Sequence, residues 1–129
     1  MTKFNVDAPP ASPLAWMEAW FAEGDALDVP NPNAMYLATV DADGTPSVRT
    51  VLRRGFDEHG VVFYTNYESR KSLAMLASGR ASVLFHWDQT DRQIRIEGRV
   101  SKVEREVSDA YFAARHPESQ LGAWASQQS

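Results

Sequence analysis

The sequence predicts a mainly β (α+β) domain, a small antiparallel barrel with flanking helices and one helix set between its strands. Three observations lead there. Short β-rich runs recur between residues 35 and 100, several of them joined by turns that contain glycine. The regular strand–helix alternation of a parallel sheet is absent. At 129 residues the chain suits one ordinary domain and is too short for two.

The elements follow in order. Residues 1–11 are polar and Pro-rich and read as a flexible arm ahead of a domain over residues 12–129. Ser12 and Pro13 supply an N-cap and a first helical residue. Leu14, Trp16, Met17, Trp20 and Phe21 follow at helical spacing as a core-packing stripe, and Gly24 is the expected stop. Residues 25–33, with Pro30 and Pro32, form a connection. The period then changes. Residues 35–40 (MYLATV), 47–54 (SVRTVLRR) and 61–65 (VVFYT) read as strands of a meander, divided by turn signals at Asp41–Gly44 and Asp57–Gly60. Ser69 caps a helix over 70–78 and Gly79 stops it. Strand character returns over 81–87, and residues 93–100 alternate almost without fault. Ser108 can cap a further helix ending at Arg115, His116-Pro117 breaks it, and 118–127 reads as helical again.

Composition removes whole classes of chemistry. No Cys is present, which excludes disulfides, thiolate zinc sites, iron–sulfur clusters and a cysteine nucleophile. No run approaches 18 apolar residues and the first residues lack a signal-peptide pattern, so the expectation is a soluble cytoplasmic protein. The net charge of −4 is unevenly spread: residues 1–48 carry −6, residues 49–115 carry +3 and the rest −1. An acidic chain is a poor partner for nucleic acid or membranes, whereas a local excess of Arg suits a small anionic ligand. The seven glycines never form GxG, so neither a dinucleotide fingerprint nor a P-loop exists. His59, His86 and His116 are isolated, and no metal site is expected. The carboxylate pairs Asp88/Asp91 and Glu104/Glu106 read as solvated charges.

Four features carry chemistry. Ser69-Arg70-Lys71 puts two cations in the first turn of a helix, against the positive end of its dipole. A phosphate there reverses the sign of that effect, because N–H groups, a hydroxyl and two cations converge on it. In the strand 49–54, Arg49, Val51 and Arg53 share one face, while Thr50, Leu52 and Arg54 share the other. A strand that buries one side rarely carries Arg on both, so at least one of them reaches a partner or ligand. On the strand 93–100, Gln93, Arg95, Glu97 and Arg99 form a wet face with expected cross-strand ion pairs, and Gln93 is suited to a polar heterocycle. Tyr111 and Arg115 lie one helical turn apart, with Ser119 past the break, and together suit a second phosphate. Taken singly, each feature also fits an ordinary solvated surface.

Together they resemble the pyridoxamine 5′-phosphate oxidase family. The matching stretches are RTVLRR (49–54), FYTNYESRK (63–71), RQIRIEGRV (92–100) and YFAARHPESQLGAWASQQS (111–129). The resemblance runs from about Met35 to Ser129. It implies an antiparallel split β-barrel and an obligate homodimer with FMN at the subunit interface. It assigns FMN contacts to Arg49, Thr50, Val51, Leu52, Tyr64, Thr65, Arg70, Lys71, Gln93, Gln128 and Ser129. Substrate phosphate contacts fall on Arg54, Tyr111, Arg115 and Ser119. Two departures stand out: Arg54 replaces the family's usual Lys, and Arg53 replaces an aliphatic residue. The family pattern also continues beyond Ser129, through a Trp that touches FMN and an Arg and His that orient the substrate, so the domain is expected to lack that segment.

The implied function is FMN-dependent oxidation of pyridoxamine or pyridoxine 5′-phosphate to pyridoxal 5′-phosphate, with O2 as acceptor and H2O2 as product. Two rivals remain. One is another flavin enzyme on the same barrel, a phenazine-pathway oxidase or a flavin reductase. The other is a non-catalytic module that binds FMN or pyridoxal phosphate. An oligonucleotide-binding barrel is disfavoured by the acidic total.

Overall fold

The computed structural model describes residues 12–66 and 68–102. The arm 1–11 and the helices expected after Ser108 lie outside them. Helix α1 (Leu14–Asp25) leads into β1 (Ala34–Val40), β2 (Pro46–Asp57) and β3 (Gly60–Phe63). Helix α2 (Arg70–Ser78) follows, then β4 (Arg80–Trp87), a 3-10 turn over Asp88–Thr90 and β5 (Arg92–Arg99). All pairings are antiparallel, in the order β3-β2-β1-β4-β5. The sheet curls into a half-barrel, and the mainly β class is that read from the sequence.

Sequence chemistry explains the ends of these elements. At α1 the sequence reading is off by one residue: Pro13, not Ser12, takes the N-cap position and the helix starts at Leu14, whose N–H donates to Ser12 Oγ at 3.3 Å. Gly44 adopts φ +88° in the β1–β2 turn, where the Gly44 N–H donates to the Asp41 carbonyl at 2.9 Å. In the next turn, Asp57 Oδ1 accepts from the His59 and Gly60 N–H groups at 2.8 and 3.2 Å.

Gly24 does not stop α1, which runs on to Asp25. A Cβ at Gly24 would lie 2.2 Å from Trp87 Nε1, so glycine is required by close approach of helix to sheet. The strand expected over 61–65 ends at Phe63, and the one expected over 47–54 extends to Asp57. The extension passes through a β-bulge. Arg53 pairs with Phe63 and Gly55 with Val62, leaving Arg54 as the extra residue. The bulge reverses the alternation beyond it. Phe56 is therefore turned inward against Phe21, with ring centroids 4.9 Å apart.

The inner face holds the core: Met35 and Leu37 from β1, Val51 from β2, and Val83, Phe85 and Trp87 from β4. Phe21 of α1 and Met75 of α2 close it. Phe21 sets its ring edge-on to Phe85 and Trp87, at 4.8 and 5.8 Å. Arg53, also inward, is held by Asp25 at 2.6 Å and lies 4.5 Å above the Phe21 ring. That contact between α1 and β2 accounts for a cation where an aliphatic side chain was expected. Arg92 likewise ties β5 to Glu23 of α1 and covers the Trp20 ring. On β5 the expected wet face is present, but Arg95 pairs with Glu97 of its own strand at 3.3 Å rather than across strands. Among the described residues, no helix is long and apolar enough to cross a membrane.

Candidate functional site

The chain enters α2 through a knot of hydroxyls. Ser69 Oγ and Ser72 Oγ each donate to the Asn66 carbonyl at 2.7 Å. Thr65 Oγ1 lies 3.1 Å from Ser72 Oγ and 3.3 Å from Ser69 Oγ. Ser69 Oγ also accepts from the Ser72 N–H at 3.4 Å, the N-cap bond the sequence predicts. Each hydroxyl owns one proton, and Asn66 takes two of the three. Ser69 therefore turns its hydroxyl into the protein, not toward an anion as expected. The knot instead fixes how α2 starts, and with it where Arg70 and Lys71 stand.

Those two residues take opposite environments. Lys71 is completely buried. Burial, and then the nearby Arg49 guanidinium, push its ammonium down to about 8. Arg70 is exposed, and its Nε and Nη2 donate to Asp41 Oδ2 at 2.9 and 2.6 Å, which raises its pKa further. Arg49 points inward from β2. Its Nη1 donates to the Leu37 carbonyl at 3.1 Å and to Thr39 Oγ1 at 2.7 Å, and Nη2 to Ser47 Oγ at 2.5 Å. Burial, followed by Arg70, lowers the Arg49 pKa, while Asp41 opposes the shift.

Three cations from two elements thus gather at the start of α2, where Arg70 disfavours the charge on Arg49 and Arg49 that on Lys71. Asp41 and, more weakly, Asp43 oppose them. Such an arrangement, at the positive end of a helix dipole, is suited chemically to a phosphate dianion.

The other expected residues divide. Val51 lies in the core, so only its backbone remains for a ligand. Thr50 and Leu52 point to the outer face of the sheet, shared by Gln93 of β5. Tyr64 and Thr65 line an open cleft of about 930 Å3 with Ser72, Met75, Val83 and Ile96. Arg54 sits on the bulge of β2. Tyr111, Arg115, Ser119, Gln128 and Ser129 lie outside the described residues. One chain therefore brings together Arg49, Thr65, Arg70 and Lys71, and keeps Thr50, Leu52 and Gln93 apart from them. Sequence reasoning missed Asp41, Thr39 and Ser47, which set the two arginines. Their signal was a polar residue at each inward position beside the turn.

A curled antiparallel half-barrel with a cationic corner at an inserted helix defines the split-barrel class. The sequence model of the family described as pyridoxamine 5′-phosphate oxidase matches residues 23–129. A pyridoxine/pyridoxamine 5′-phosphate oxidase of Cupriavidus pinatubonensis is 58% identical over 117 residues, covering 91% of this chain and 55% of its own length. The chain belongs to the pyridoxamine 5′-phosphate oxidase family, and spans about half the length of such relatives. Among solved structures, PhzG of Burkholderia lata, crystallised with tetrahydrophenazine-1-carboxylic acid, superposes with a TM-score of 0.86 at 34% identity. That match covers 95% of this chain and 61% of PhzG. A related FMN-binding protein of Nostoc punctiforme shares the fold, with a TM-score of 0.72 at 22% identity over 85% of this chain and 62% of its own.

Proposed function

We propose that this chain is the FMN-holding part of a cytoplasmic pyridoxine/pyridoxamine 5′-phosphate oxidase. The observation that carries the reading is the convergence of Arg49, Arg70 and buried Lys71 at the start of α2. The donor set fits the phosphate of a flavin mononucleotide in charge and in hydrogen-bond character. Arg70 and Lys71 would hold that phosphate, with Arg49 behind them. Backbone groups of residues 49–52, with Tyr64 and Thr65, would flank the ring system. FMN, when bound, supplies the two-electron acceptor, and O2 restores it with release of H2O2. Pyridoxine 5′-phosphate and O2 then give pyridoxal 5′-phosphate and H2O2. The amine substrate consumes one water in addition and releases ammonia. The protein's share is binding, orientation and charge, with Arg54, Tyr111, Arg115 and Ser119 as the clamp for the substrate phosphate.

The site is completed, in this reading, by a second copy of the chain. Gln93, Thr50 and Leu52 lie on the outer face, away from Lys71, and a second protomer laid on that face would present its own copies to the flavin of the first. The name of the 58% identical relative supports the vitamin B6 substrates. The PhzG likeness favours a second reading, a phenazine-pathway oxidase on the same barrel.

Flavin titration followed by anaerobic addition of substrate separates them. Bleaching of the flavin absorbance by pyridoxamine 5′-phosphate is the expected result. Bleaching only by a dihydrophenazine carboxylate would favour the second reading, and a protein that refuses FMN would overturn both. Arg70→Ala is expected to weaken FMN binding about 10–100-fold, the loss of one charge-assisted phosphate contact. Unchanged affinity would return Arg70 to the solvent-exposed surface.

A further inference from the structure

We infer that Asp41 is a positioning residue for the phosphate site, holding the Arg70 guanidinium in place before the anion arrives. The inference rests on the flavin-phosphate reading above. Arg70 is exposed on the first turn of α2, and its long side chain has many conformations to lose on binding. Asp41 Oδ2 takes both Nε and Nη2 of that side chain, which fixes the plane of the guanidinium. The other N–H groups on Nη1 and Nη2 are not used by this contact.

The backbone that carries the carboxylate is itself anchored. The Asp41 N–H donates to the Thr45 carbonyl at 2.9 Å, and its own carbonyl accepts from Gly44. Asp41 lies at the end of β1, the strand whose Leu37 carbonyl and Thr39 hydroxyl hold Arg49. A single strand thus sets both arginines, one through its backbone and hydroxyl and one through Asp41. Stability is a poor explanation for the pair, since exposed ion pairs contribute little to folding. Charge supplies a second argument. Three cations against Asp41 and the more weakly acting Asp43 leave the corner net positive, which suits a phosphate monoester.

Positioning and competition predict opposite signs. If Asp41 merely occupies the anion's place, its removal tightens binding; if it orients Arg70, removal weakens it. Titration of the 129-residue protein with FMN, riboflavin and inorganic phosphate, each followed by fluorescence or calorimetry, decides this. Asp41→Ala is expected to weaken FMN about tenfold, on the scale of one charge-assisted contact. Riboflavin, which lacks the phosphate, is expected to bind as before. In an Arg70→Ala background the Asp41→Ala change is expected to have no further effect, and Asp41→Glu is expected to recover part of the loss.

Unchanged or tighter FMN binding in Asp41→Ala, or full additivity with Arg70→Ala, would overturn the inference. If the unaltered protein refuses FMN yet binds phosphate, and Asp41→Ala weakens phosphate, the positioning role stands and the flavin reading falls. Binding of neither overturns both.

Discussion

Lys71 keeps its ammonium in a buried position beside Arg49, and that single placement has two measurable consequences. Its proton is released near pH 8 in the folded protein, against 10.5 for an ordinary lysine. The unfolded chain therefore holds more protons between those values, and folding stability rises with pH across that window. A bound phosphate reverses the balance, because an adjacent dianion restores the charged form. FMN affinity is thus expected to fall about tenfold between pH 7 and pH 9.5, as the free protein loses the proton that binding must replace. Lys71→Met is expected to abolish that dependence and weaken FMN, while raising the melting temperature of the flavin-free protein at pH 7. Fluorescence titration across pH and a thermal melt check the two halves. In the flavin-phosphate reading, binding and folding thus place opposite demands on Lys71.

Among the elements, the contrast between α1 and α2 shows what the sequence discloses. Helix α2 was legible from its two ends, Ser69 and Gly79, because caps act within a few residues of themselves. Strand alternation was legible too, since the period of two is a local property. Gly24 was misread for the opposite reason. Its cause is Trp87 of β4, and no spacing rule brings two such distant positions together. The bulge at Arg54 was invisible because register belongs to a pair of strands. The same limit hid Asp41 behind Arg70. Of the candidate site, the cationic helix start was legible as unusual, while the contacts that orient it were not. Gly24→Ala follows from this geometry. The added methyl would press on the indole at 2.2 Å, so a loss of about 1–3 kcal/mol is expected in urea denaturation. Retention of full stability would show that α1 can shift away from the sheet.

For the whole molecule, the outer face of the sheet poses the main question. Tyr36, Val40 and Val48 stand on it 43%, 49% and 67% exposed, beside Thr50, Leu52 and Gln93. An apolar patch rimmed by polar residues is what a symmetric dimer would cover. Val48→Asp is expected to shift the protein toward monomer in sedimentation velocity, and to weaken FMN although Val48 faces away from Lys71. A monomer with unchanged flavin affinity would separate assembly from binding. The strand order carries a last consequence, for how long the folded state survives. The β1–β2–β3 meander and the β4–β5 hairpin are local structures, and among the described residues the sheet joins them through the pairing of β1 with β4. The long sequence separation between β1 and β4 makes this pairing the one expected to form last. Arg49 and Asp41 belong to the meander, and Lys71 to the helix that leads across to the hairpin. In the flavin-phosphate reading, an anion gripped there would tie the meander to α2, the segment that leads to the hairpin. It would lengthen the lifetime of the folded chain far more than it hastens folding, and protect it from proteases by holding two halves shut.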